Sequence, residues 1–104
     1  MNDAFSVTAR RDGNHAVIDV VGEFDLAATS EFAACAQLLL QSVQRVVVDL
    51  SKVSFLDSSG LNALLRLRQA ANEAGGSVTL RDPTDRVRKL LSRAGLTDIL
   101  PIEA

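Results

Sequence analysis

Two short segments hold the side chains with usable chemistry. In Asp57-Ser58-Ser59-Gly60 a carboxyl and two hydroxyls follow one another just ahead of a stretch of helical periodicity. Asp and Ser are common helix N-caps, but one cap needs a single side-chain oxygen. Three in succession leave hydroxyls to spare at a position expected on the surface. A phosphate on Ser58 would lie near the unpaired N–H groups of a helix start, a place that tolerates an anion. It would add about −1.5 to −2 charge at neutral pH. The second segment, Gly22-Glu23-Phe24-Asp25, follows a strand pattern and also reads simply as a strand exit with surface carboxylates. Glu23, Asp25 and Asp57 are candidate neighbours of a modified Ser58. Two added charges about 6 Å from a carboxylate feel several kcal/mol at an effective dielectric of about 20. A partner's acidic or apolar surface would reject such a group while the helix end carries it, which is the physics of a switch.

Enzyme chemistry finds little support in the same residues. Gly-x-Ser-x-Gly is absent, and the single histidine, His15, falls at a turn with no second base in view, which argues against a Ser-His-acid hydrolase. No Gly-x-x-x-x-Gly-Lys-Ser/Thr loop is present to cradle a nucleotide. One His and one Cys, far apart, are too few for a metal site, and no cofactor is expected. A phospho-aspartate receiver would want an acidic pair after its first strand and a lysine near its last, and neither stands there. The expectation is a protein that is not an enzyme.

The elements that must position these residues follow from hydrophobic periodicity. Phe5, Val7 and Ala9 alternate with polar residues, Asp12-Gly13-Asn14 makes a turn, and Ala16 to Val21 is a second strand, so the first two strands form an antiparallel hairpin. Phe32, Ala36, Leu39 and Leu40 recur at helical spacing, with Thr29 or Asp25 as possible caps. Arg45 to Leu50 is a β-branched run suited to a central strand, and Ser51 to Ser58 reads as the connection after it. A second helix spans about Ser59 to Ala74, with Gly60, Ala63, Leu64, Leu67, Ala71 and Ala74 on its inner stripe. Gly75-Gly76 stops it. Ser77 to Arg81 is a short strand. Thr84 can cap a third helix facing inward with Val87, Leu90, Leu91 and Ala94, and Asp98 to Ile102 can form a last edge strand. The order β-β-α-β-α-β-α-β implies an α/β fold in which a mixed, largely parallel sheet with an N-terminal hairpin packs against helices.

Composition sets the remaining bounds. A chain of 104 residues is expected to be one domain. With no Trp or Tyr and four Phe, its core must be built from Leu, Val, Ile and Ala. The net charge of −2, with signs interspersed, argues against direct nucleic-acid binding. Cys35 lies in an apolar helical stretch and reads as a packed, inert thiol. The N-terminus lacks the basic and apolar regions of a signal peptide, and no apolar run reaches the roughly 20 residues that span a bilayer. A cytoplasmic protein, not bound to membrane and monomeric when free, is the expectation.

Gly-Glu-Phe-Asp at 22–25, Val-Asp-Leu-Ser at 48–51 and Ser-Phe-Leu-Asp-Ser-Ser-Gly-Leu at 54–61 together resemble the anti-sigma factor antagonists, STAS-type proteins of bacterial sporulation and stress regulation. The resemblance covers nearly the whole chain, through Gly75-Gly76, Val87-Arg88-Lys89-Leu90 and Ala94-Gly95-Leu96, and implies a single STAS domain over residues 1–104. It also implies that Ser58 is the phosphoacceptor and that the unphosphorylated form binds an anti-sigma factor, freeing a sigma factor. Where that anti-sigma factor is also a serine kinase, it would phosphorylate Ser58 with ATP and release the antagonist. A metal-dependent serine phosphatase would reset it. Glu23 and Asp25 match the acidic positions of a Gly-Glu-Leu-Asp motif that helps form the partner surface, with Phe24 in place of its Leu. Asp57, Ser59, Gly60 and Leu61 are the further expected partner-binding positions. Leu61 and Leu65, on the flank of the second helix, either join that surface or simply widen the core stripe. The alternative reading is a STAS-like scaffold that does not switch, a subunit of a lipid transport or signalling complex.

Overall fold

Alternating apolar residues along the strands give the sheet a core face on which the helices pack, while Val17 and Val47, on the other face, are buried as well. The computed structural model describes residues 5–103. Strands β1 (Ser6–Asp12), β2 (His15–Phe24), β3 (Arg45–Leu56) and β4 (Ser77–Arg81) form one sheet in the order β1-β2-β3-β4. The β1–β2 pair is antiparallel, while β2–β3 and β3–β4 are parallel. Ala16, Ile18 and Val20 of β2, Val46, Val48 and Leu50 of β3, and Val78 and Leu80 of β4 point into a single core. Helix α1 (Thr29–Leu40), entered through a short 3-10 turn (Leu26–Ala28), supplies Phe32 and Ala36 to it. Helix α2 (Ser58–Glu73) adds Ala63, Leu64, Leu67 and Ala71, and α3 (Asp85–Arg93) adds Val87 and Leu91. This is the expected α/β architecture.

Several local expectations hold for the physical reason given. Thr84 caps α3, its Oγ1 accepting from the Val87 N–H at 3.3 Å. Gly75, just past α2, has φ of +83°. Neither candidate cap of the first helix works as one: the Asp25 side chain makes no capping bond to the turn it precedes, and Thr29 Oγ1 donates to the Leu26 carbonyl instead.

The strands differ from their expected lengths. β2 runs on through Gly22-Glu23-Phe24, and β3 continues through Ser51–Leu56, the segment expected to be a connection. The polar Ser51, Lys52 and Ser54 hide that continuation because two register shifts give β3 two extra residues opposite β2. Strict alternation fails across such bulges. Gly22, at φ +98°, sits between the shifts, in a backbone conformation that L side chains rarely adopt.

The last edge strand reduces to one parallel bridge, Leu80 with Ile102. Residues before it are coiled by bonds from the Ile99 and Leu100 N–H groups to the Leu96 carbonyl, and Pro101 has no N–H to add to a ladder.

Candidate functional site

The parallel pairing of β2 and β3 brings the two candidate segments together. Glu23 lies beside Phe55 and Phe24 beside Leu56, so both strands finish at the same end of the sheet. There the first chain turns into the 3-10 segment and α1, and the second into α2. Sites in α/β sheets gather at such carboxyl ends. The Asp57 N–H reaches the Phe24 carbonyl at 3.4 Å, tying the two exits to each other.

Asp57 is the N-cap of α2. Its Oδ1 accepts from the N–H groups of Ser59 at 2.9 Å and Gly60 at 3.0 Å. That single carboxylate does the capping, so the exposed Ser58 hydroxyl is not needed for it. Ser58 is the first helical residue. At 100° per residue it projects between two flanks of α2, with Leu61 and Leu65 on one side and Asn62 and Arg66 on the other. Ser59 is half-buried and Gly60 buried. A Cβ built on Gly60 would stand 2.4 Å from the Phe24 carbonyl oxygen and 2.6 Å from Leu56 Cδ1. Gly60 is therefore where the helix meets the sheet, and its lack of a side chain sets how low Ser58 rides.

The acidic rim comes from the end of β2 and the residue after it. Glu23 is exposed and Asp25 half-buried. Phe24 between them points the other way, fully buried, with its ring 4.8 Å from that of Phe32 and 5.5 Å from that of Phe5. The apolar residue of this motif thus packs under the start of α2 against Gly60, while Glu23 stays exposed and Asp25 half-buried.

Leu61 and Leu65 are partly buried, packed against the core on one side and open to solvent on the other. Sequence reasoning missed the apolar feature on the opposite flank. A groove of about 380 Å³ runs between α1 and α2 from the Ser58 end, with Leu26, Thr29 and Ala33 on one wall and Ser59, Asn62 and Arg66 on the other. Leu26 is 72% exposed at its mouth. The signal was there: a leucine directly after Asp25 that fits no core stripe.

His15 begins β2 whereas Ser58 follows the far end of β3, so a strand length of roughly 30 Å separates them. His15 Nε2 instead faces Asp12 at 3.8 Å across the hairpin turn. No base stands ready at Ser58 from that residue. Cys35 is half-buried in α1, its thiol pushed above the ordinary range by burial and then by the charge of Glu31. Among the described residues no group of three or more His, Cys, Asp and Glu is placed to hold a metal, and no helix is long and apolar enough to cross a membrane.

A four-stranded mixed sheet with helices on one face, a capped Asp-Ser-Ser-Gly helix start and an acidic strand exit beside it define a STAS domain. The family model described as "Mlab, STAS domain" matches residues 7–101, and the chain belongs to this family. A STAS-domain containing protein of Pseudomonas aeruginosa is 30% identical over 99 residues, covering 95% of this chain and 98% of its own. The anti-sigma-B factor antagonist of Bacillus subtilis is 25% identical over 99 residues, covering 95% and 91%. The intermembrane phospholipid transport system binding protein MlaB of Escherichia coli is 42% identical over 55 residues, 52% of this chain and 57% of that one. Among solved structures, the anti-sigma factor antagonist SpoIIAA in its unphosphorylated form superposes with a TM-score of 0.79 at 24% identity, covering 97% of this chain and 89% of that one. The same protein in its phosphorylated form superposes with a TM-score of 0.74 at 23% identity, covering 97% and 92%.

Proposed function

We propose that this protein is an anti-sigma factor antagonist whose unphosphorylated form binds an anti-sigma factor, itself a serine kinase, and thereby releases a sigma factor. Phosphorylation of Ser58 ends the binding, and a serine phosphatase restores it. The observation that carries the reading is the division of labour at the start of α2. Asp57 caps the helix alone, leaving the Ser58 hydroxyl exposed and free for a kinase. Because Asp57 already occupies the two N–H groups, a phosphate on Ser58 gains little from the helix end and stands out toward a partner. It lies on the same end of the sheet as Glu23 and Asp25, where added negative charge accumulates with theirs. The docking surface then comprises Glu23, Asp25, Asp57, Ser59 and Leu61 around the phosphosite, with Gly60 setting its height and the Leu26 groove accepting an apolar side chain of the partner.

The test is intact mass and binding together. Ser58→Ala keeps affinity for the anti-sigma factor and takes up no phosphate from the kinase and ATP. Ser58→Asp binds more weakly by about 1–3 kcal/mol, roughly 5- to 150-fold, with an unchanged melting curve. Phosphate on Ser59, Thr29 or Thr84 in place of Ser58, or equal affinity of the modified and bare forms, refutes the assignment.

A second reading rests on the likeness to MlaB: a STAS subunit that scaffolds a lipid transport complex without switching. It predicts a stable complex that Ser58→Asp leaves intact, the opposite of the first.

A further inference from the structure

The third helix carries a charge pattern that the switch does not use. Asp85–Arg93 holds four of the chain's eleven Lys and Arg and one of its thirteen Asp and Glu, so this element is positive within a chain of net charge −2. Arg86, Lys89 and Arg93 fall on one stripe, at spacings of three and four residues, and span about 10 Å along the axis. All three are exposed, and none takes part in the ion pairs formed among the described residues, which join Arg10 to Asp19, His15 to Asp12 and Arg81 to Glu103. The stripe borders a groove of about 410 Å³ between α3 and the end of β3. Phe55, 40% exposed, and half-buried Leu90 give that groove its apolar floor.

We propose that this groove docks an acidic, amphipathic protein segment: its carboxylates face Arg86, Lys89 and Arg93, and one large apolar side chain fills the space over Phe55 and Leu90. Charge complementarity names the occupant. Three unpaired cations around an apolar notch match carboxylates flanking an apolar anchor. A membrane surface fits less well, because a helix that lies on lipid presents an apolar face to it, whereas Val87 and Leu91 of α3 are spent in the core at 0% exposure. Nucleic acid fits less well too, since a single exposed Phe offers no row of stacking rings. The groove adjoins the Ser58 end of the sheet, since Phe55 lies beside Glu23, but its cations belong to α3 and no step of the switch uses them.

An amide NMR titration of the full chain tests this. The probe is a 16-residue helical peptide with Glu at i, i+4 and i+7 and Leu and Phe on the adjoining stripe. Saturable shifts centred on Phe55 and residues 86–93 are expected. Lys89→Glu weakens binding about fivefold, and Phe55→Ser weakens it with the melting curve retained. Arg88→Glu, the same charge change at an exposed residue of the same helix that does not line the groove, stays within about twofold. No saturable binding, or equal loss from Lys89→Glu and Arg88→Glu, overturns the proposal. So does tighter binding at these residues by phosphatidylglycerol vesicles than by the peptide.

Discussion

Replacing Gly60 by alanine adds one methyl group at the point where α2 comes nearest the sheet. In a free helix that change is favourable, by about 1 kcal/mol, because alanine loses less backbone freedom than glycine. Here the new Cβ would meet the Phe24 carbonyl oxygen at 2.4 Å and Leu56 Cδ1 at 2.6 Å. Leu56 can turn aside, but the Phe24 carbonyl is backbone of a residue paired with β3, and it receives the Asp57 N–H. Ordinary contact distance requires the helix start to lift by about 1 Å. Overpacking of this kind costs about 1–3 kcal/mol, and a clash with backbone falls in the upper part of that range. The steric term therefore exceeds the propensity term, and Gly60→Ala should lose about 1–2 kcal/mol. For a domain of this length that lowers Tm by roughly 5–15 °C. Urea unfolding followed by far-UV circular dichroism reads the difference as a lower midpoint at unchanged slope. Because the same shift moves Ser58, affinity for the anti-sigma factor should fall even at temperatures where the variant is fully folded. A variant as stable as the parent, or more so, would show that the helix yields freely and that Gly60 does not set the height of the site.

Asp57→Ala removes the acceptor of two N–H groups and should cost about 0.5–2 kcal/mol in thermal unfolding, while Asp57→Asn, which can still cap, should recover most of it; equal losses would refute the capping role. Glu23→Lys should weaken anti-sigma factor binding by calorimetry while leaving stability within about 0.5 kcal/mol, since Glu23 is exposed; unchanged affinity removes it from the surface. Cys35 should react with iodoacetamide more slowly than free glutathione at pH 8. Its raised pKa means less thiolate at that pH, and the rate should climb as pH rises. A rate equal to that of the free thiol would contradict the burial of Cys35 in α1.

Where residues report on themselves or near neighbours, the pattern was readable. Thr84 caps α3 because its side-chain oxygen reaches the N–H three residues on, a purely local geometry. Val46, Val47 and Val48 sit buried in β3, as a continuous β-branched run implies. Reading failed where a second strand decides. Ser51, Lys52 and Ser54 look like loop, and only pairing with β2 across two bulges makes them strand. Ile102 looks like the end of a strand, and the preceding bonds to Leu96 leave it a single bridge. The groove at Leu26 was illegible for the same reason, because its two walls lie on different helices with all of β3 between them in sequence.

The sequence by itself determined the element order as far as α3, the family resemblance and the run of oxygens at 57–59, since hydrophobic period and side-chain type are written residue by residue. Only the tertiary structure decided which oxygen caps α2 and which stays free. It alone set Glu23 and Asp25 on the same end of the sheet as Ser58, and gave Gly60 its reason. Those outcomes depend on parallel register and on the distance between a helix and a strand. Both are fixed by packing across the core, which no local pattern encodes.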